Sequence, residues 1–349
     1  LDDTTSDKVS TLLSGCAIGA IYNRKTDFSG RKARLQETTD IGQLLKWTVW
    51  VPWTFFMGLA FGSFLNVCIY RLPRGMSVAK PRSACPNCKT PIGAMDNIPV
   101  LSWFLLRGKC RNCKQPISPR YWIVELMIGV LFAAAVGIYG PGYCALKLCI
   151  LSFLLAGLIF TDADMKLLPD VMTKPGIVIG LVMSLFCTVD DLVTRILEIH
   201  NWLPEQMSPE MYFRIVSLME SVVGALVGAG FIWGVAKGYK MLRGVEGMGF
   251  GDVKLMAMVG AFLGTRHALY CIMVASIVGT FAGMSVMFNV YRQRLKRRRV
   301  AEPAEEKNAR AWRSAQLVMR HYEMPFGIFL GGAGLVLAFL DAIMVRFGV

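Results

Sequence analysis

Two kinds of residue in this 349-residue chain have types and spacings suited to chemistry: acids at the edges of apolar stretches, and cysteines in close pairs. Asp162 ends an apolar run seven residues before Pro169, and Asp252 closes Gly249-Phe250-Gly251-Asp252. A carboxylate at such an edge costs free energy unless it has a partner or a task. Two acids brought to one place can share a proton and activate water for amide hydrolysis. Each also has a plainer reading. Asp162 merely ends a helix, with Asp164 and Asp170 as nearby competitors, and Asp252 is the N-cap of the helix that follows it. Gly249 and Gly251 favour more than a cap, because they leave room for a second backbone beside the acid.

Cys85-Pro86-Asn87-Cys88 and Cys110-Arg111-Asn112-Cys113 are two CxxC pairs separated by 21 residues. Each can present two thiolates from a tight knuckle, and together Cys85, Cys88, Cys110 and Cys113 complete the four-sulfur shell that structural zinc prefers. Thiol redox chemistry and a pair of disulfides are the alternatives, the latter disfavoured in a cytoplasmic loop. A closed shell leaves no position for a substrate, so the metal is expected to hold the loop together. Cys16, Cys68, Cys144, Cys149, Cys187 and Cys271 fall mostly in apolar runs and read as small buried hydrophobes.

The elements that must position these groups are membrane helices. The chain is 54% hydrophobic, with several apolar runs near the length needed to cross about 30 Å of hydrocarbon. The expected fold class is an all-α polytopic membrane protein of about eight transmembrane helices with a cytoplasmic zinc-binding loop. Spans are expected near 47–69, 121–139, 144–161, 175–189, 215–236, 253–263, 267–290 and 324–345, the sixth being short and tilted or in a thinned region. Trp47, Trp50 and Trp53 form an interfacial belt at the start of the first. The corresponding division is a disordered tail over 1–45, a first span over 46–70, the loop over 71–120 and a transmembrane region over 121–349 that carries both acids. The chain starts at Leu1 instead of Met, so the tail is expected to reflect processing or an upstream start. No small-residue cleavage site follows the apolar patch Leu12 to Tyr22, so a signal peptide is not expected.

The net charge of +14 invites a nucleic-acid reading, but most of the 38 lysines and arginines fall in loops on one side of the spans. Topology bias explains that pattern, and no basic-aromatic reading surface accompanies it. Nucleic acid is therefore excluded as a partner, and the bilayer is the expected one. The same bias puts the cysteine loop, Asp162, Asp252 and the run Arg292 to Arg299 in the cytoplasm. A polar outer segment over 190–213 is expected to carry a surface helix at 192–199, and 301–323 a helix or linker.

Several motifs in order resemble the bacterial type IV prepilin peptidases, membrane aspartic proteases of the GxGD type. They are Phe61-Gly62-Ser63-Phe64-Leu65-Asn66-Val67 with Arg71-Leu72-Pro73, the two CxxC pairs flanking Asp96-Asn97-Ile98-Pro99, Asp162 through Leu168-Pro169-Asp170, Gly249 through Leu255, and Met324-Pro325-Phe326-Gly327. The resemblance implies catalytic aspartates at Asp162 and Asp252 in a bacterial inner-membrane enzyme that cuts the basic leader from prepilins and pseudopilins on the cytoplasmic side. It also implies N-methylation of the new terminus with S-adenosylmethionine, and associates Gly108-Lys109 with that step; no glycine loop of the soluble methyltransferases is visible. Glu125, Asp164 or Asp170 are expected to receive the leader's positive charges. Asp252, at a helix start, is expected to act as the charged base, and Asp162, at a helix end, to hold the shared proton. The competing classes are a transporter or channel with a zinc-ribbon regulatory loop, and a structural assembly factor of a secretion machine.

Overall fold

The computed structural model describes residues 41–187, 208–244, 248–297, 304–320 and 325–347. Among these the chain is helical, with isolated β-bridges only in the cysteine loop. In chain order the α-helices are α1 (Ile41–Arg71), α2 (Leu101–Leu105), α3 (Arg120–Tyr139), α4 (Tyr143–Met165), α5 (Asp170–Ser184), α6 (Pro209–Arg243), α7 (Phe250–Leu263), α8 (Thr265–Arg297), α9 (Ala304–Arg320) and α10 (Phe326–Phe347). Six of them, α1, α3, α4, α6, α8 and α10, are long and apolar enough to cross a membrane.

The other two expected spans fall on α5, of 15 residues, and α7, of 14, which are not among those six. At 1.5 Å per residue each reaches only about 22 Å. For α7 the reason is visible in its burial: Leu255, Met256, Met258, Val259, Ala261 and Phe262 are all inside. A helix apolar on every face belongs in an interior, and α7 is walled in by α5, α6, α8 and α10. The short helix is thus wrapped by protein along its length.

The helices alternate in direction between two ends of the bundle. At one end Trp47 covers Gly140, Tyr143 meets Phe186, and the Glu220 carboxylate accepts the Thr265 amide at 2.9 Å. At the other end lie the starts of α3, α5, α7 and α10 and the last turn of α4. Between them α4 packs against α1, α3, α5 and α10, which makes it the most buried of the six long helices.

Some boundaries differ from the sequence reading. Residues 41–45, expected within the tail, already form the start of α1, while 1–40 lie outside the described residues. The expected surface helix at 192–199 lies outside them too. The basic run after position 290 continues α8 as helix to Arg297 instead of opening a loop. Returning along it, α9 buries Ala311 and sets Trp312 edge-on to Tyr291, with ring centroids 5.9 Å apart.

Candidate functional site

Asp162 lies in the last turn of α4, whose chain leaves the helix through Lys166 in a left-handed conformation (φ 53°). The turn is held by the Lys166 amide, which donates to the Asp162 carbonyl at 2.9 Å. The carboxylate points across the bundle to the start of α10, where the Ile328 amide donates to its Oδ2 at 3.0 Å. Unsatisfied amides at a helix N-terminus favour such an anion. Gly327 is what permits the approach, since a Cβ there would stand 2.8 Å from Oδ2.

Asp252 lies in the first turn of α7. The expected N-cap role does not hold: the cap is Gly249, the Asp252 amide donates to the Gly249 carbonyl at 3.1 Å, and no side chain caps the helix. The Asp252 carboxylate accepts no hydrogen bond from a described side chain or amide. Gly251 beside it faces Leu168, 3.0 Å from where a Cβ would project, and Leu168 also borders Gly327. Thus the turn after α4 fills the space between the starts of α7 and α10. Asp162 is 5% and Asp252 7% exposed, and the two carboxylates lie within electrostatic reach of each other. The fold therefore brings together two acids 90 positions apart in sequence. The division of roles expected from each acid's own helix loses its basis, because Asp162 also faces the N-terminal end of α10.

The neighbouring acids are engaged elsewhere. Asp164 pairs with Arg120, Asp170 pairs with Lys254 and with Lys174 at 2.7 Å, and Glu125 is buried against the Val100 amide at 2.7 Å. The three acids expected to await a basic leader thus already hold partners.

The four cysteines come together, their sulfurs all within 4.8 Å of one another, with Cys85 and Cys113 3.8 Å apart. Four sulfurs at about 2.3 Å from one ion would be spaced about 3.8 Å from each other, so the donor set fits a tetrahedral metal. The knuckles are two copies of one turn. Lys89 and Lys114, each at φ 59°, donate to the carbonyls of Cys85 and Cys110, and the Cys85 and Cys110 amides donate to Thr90 and Gln115. The underlying signal is a repeat absent from the sequence reading above: Cys-Pro-Asn-Cys-Lys-Thr-Pro-Ile and Cys-Arg-Asn-Cys-Lys-Gln-Pro-Ile. Hydrogen bonds from Thr90 bring the Cys88 thiol down to about 6, and backbone amides of Cys113 and Asn112 lower that of Cys110. Both shifts favour thiolate, the form that ligates metal, while at Cys113 the Gln115 hydrogen bond is outweighed by burial and the neighbouring sulfurs, which push the thiol up to about 11.

Gly108 and Lys109 sit beside the second knuckle. Gly108 has φ 66°, and the Trp103 ring would lie 2.9 Å from a Cβ there. Its carbonyl accepts the Ile117 amide at 2.7 Å, which closes the knuckle, while Lys109 is exposed.

Residues 56–139 match the family described as Bacterial Peptidase A24 N-terminal domain, and residues 148–284 match the Type IV leader peptidase family. Among curated proteins the chain is similar to the prepilin leader peptidase/N-methyltransferase of Aeromonas hydrophila, with 35% identity over 68% of this chain and 83% of that one. The protein of the same name from Klebsiella pneumoniae is 38% identical over 65% of this chain and 91% of its own length. That of Neisseria gonorrhoeae is 36% identical over 67% and 81%. No solved structure matches.

Proposed function

Because the chain belongs to the type IV leader peptidase family, we propose that it removes the basic leader from prepilins and pseudopilins at the cytoplasmic face of a bacterial inner membrane, with Asp162 and Asp252 as its catalytic pair. The observation that carries this reading is the meeting of two buried carboxylates from α4 and α7 at one end of the bundle. In this reading α5 and α7 complete eight passes, 46–70 is the first of them, 71–120 is the cytoplasmic loop and 121–349 forms the peptidase region.

The chemistry follows from the pair. One carboxylate takes a proton from water as the water oxygen attacks the scissile carbonyl carbon, and the other acid gives a proton toward the carbonyl oxygen. Collapse breaks the C–N bond, the leaving amine takes up a proton, and one water is consumed. Asp162 is held by the Ile328 amide, whereas no described amide or side chain holds the Asp252 carboxylate. A leader cation reaches Asp170 or Asp164 only by exchange with Lys174 and Lys254 or with Arg120, and reaches Glu125 only in competition with the Val100 amide.

Zinc is the metal we assign to Cys85, Cys88, Cys110 and Cys113; it would cross-link the two knuckles and supply no reacting ligand. N-methylation of the freed terminus is the second activity, with S-adenosylmethionine as the methyl donor. Gly108 and Lys109 are the residues the family resemblance associates with that step; Trp103 covers one face of Gly108, and Lys109 is exposed beside it.

The test is cleavage of a prepilin by the purified chain. Asp162→Asn and Asp252→Asn are each expected to abolish cutting while the protein still accumulates in the membrane. Near wild-type cutting by Asp162→Asn, with loss in Asp164→Asn, would overturn the choice of acid.

A further inference from the structure

Val100 is the most improbable backbone in the cytoplasmic loop. Its φ of 61° and ψ of −55° put a β-branched residue in a region such residues avoid, and the Leu101 amide closes a three-residue turn on the Pro99 carbonyl at 2.6 Å. Turns of this positive-φ kind are rare and strained. They persist where surrounding contacts over-determine them, often at functional sites.

The contact that over-determines this one comes from the membrane helices. The Val100 amide donates to Glu125 Oε2 at 2.7 Å. Glu125 is 8% exposed in the second turn of α3. There α1 passes so close that a Cβ on Gly62 would stand 2.6 Å from the Glu125 Cα. Nearer the start of α3, Asn66 donates to the Tyr121 carbonyl at 2.9 Å, fixing the same two helices together.

On the loop side the turn leads directly into the cysteine centre. Beyond Val100, α2 presents Trp103, whose ring lies over Gly108 and whose Nε1 donates to the Ile117 carbonyl at 3.2 Å. Trp103 and Phe104 also pack on Trp122 of α3, at 5.8 and 5.5 Å between centroids. Before the turn, Asp96 takes both Nε and an Nη of Arg111 within the second knuckle. On α3 itself, Arg120 ties to Asp164, two residues from Asp162.

We propose that Glu125 is a positioning residue: its buried carboxylate holds the strained Val100 turn and so fixes the cysteine-bearing loop against the end of the bundle where Asp162 and Asp252 meet. The effect on cleavage rests on the peptidase reading above; the effect on the turn does not.

Two measurements on the full chain in lipid nanodiscs separate them: amide hydrogen exchange across 98–106, and kcat/KM for a prepilin. Glu125→Ala is expected to speed exchange in that segment and lower kcat/KM, each by about tenfold, the loss of one buried hydrogen bond. Glu125→Gln keeps an acceptor oxygen and should stay within roughly threefold on both. Val100→Gly, placed in the Glu125→Ala chain, should restore most of the activity, because glycine adopts the turn without help. A residue serving only packing would not be rescued by a change that removes a side chain elsewhere. Unchanged exchange in Glu125→Ala, or failure of Val100→Gly to restore cutting, would overturn the proposal. Should Glu125→Ala fail to accumulate, Glu125→Met, which fills the same space without an acceptor oxygen, carries the test, and exchange at 98–106 identical to wild type would overturn the proposal. If Asp162→Asn and Asp252→Asn still cut, the peptidase reading falls while the exchange result stands.

Discussion

Gly327 shows how little space the pair of acids leaves for change. A methyl group there would meet Asp162 Oδ2 at 2.8 Å and Leu168 Cδ1 at 3.3 Å, while the Ile328 amide next to it holds that same oxygen. Gly327→Ala is expected to displace the carboxylate by a fraction of an ångström and to lower kcat about 10- to 100-fold, as misplacement of a catalytic group does. Gly332→Ala, where nothing stands within 4 Å, is the control and should cut at the wild-type rate. Equal rates for the two variants would show that Asp162 does not need this seat.

Among the elements, α7 depends most on its neighbours. Its contact with α6 is backbone against backbone: a Cβ on Gly224 would lie 2.6 Å from the Gly260 carbonyl oxygen and 2.7 Å from the Gly264 carbonyl carbon. Such small-residue seams are how membrane helices come close. Gly224→Ala should therefore destabilise the bundle by about 1–3 kcal/mol, the usual cost of overpacking, and lower the unfolding temperature in detergent. Gly230→Ala, on the same helix and facing open space, should leave that temperature unchanged or raise it. The knuckles make a second element-scale prediction. Elemental analysis of protein purified without chelator should find one zinc per chain, and Cys88→Ser should lower that content. Metal loss should loosen 85–113 to proteolysis before it touches the chemistry at Asp162 and Asp252. A metal-free wild-type preparation would sink the assignment.

For the whole molecule the open quantity is orientation. One end of the bundle carries the cysteine loop and both acids, and positive charge gathers in the loops at that end. The orientation proposed above, from topology bias, puts that end in the cytoplasm. A cysteine placed at Met95, which is 76% exposed, should resist an impermeant thiol reagent in intact spheroplasts and react after permeabilisation, relative to the chain without it. Labelling of the intact cells would reverse the orientation and remove the substrate's access route with it.

The sequence by itself determined what depends on local chemistry. Apolar runs bounded by charge marked the six long membrane helices and the two short helices α5 and α7, because hydrocarbon length and charge exclusion act on contiguous residues. Two CxxC pairs marked the sulfur cluster, because each knuckle is a local turn. Other features needed the fold, since they arise where residues distant in sequence meet. Asp162 reads as the end of its own helix until α10 sets Ile328 and Gly327 against it, 166 positions away by the hydrogen bond. Glu125 reads as an acid awaiting a cation until the loop folds back and the Val100 amide takes it. The short length of α7 reads as a defect in a span until its neighbours enclose it. Periodicity and composition carry the burial of a helix face, but the partner of a single buried carboxylate is fixed only when the helices pack, because desolvation forces each such group onto whichever donor the packing places in reach.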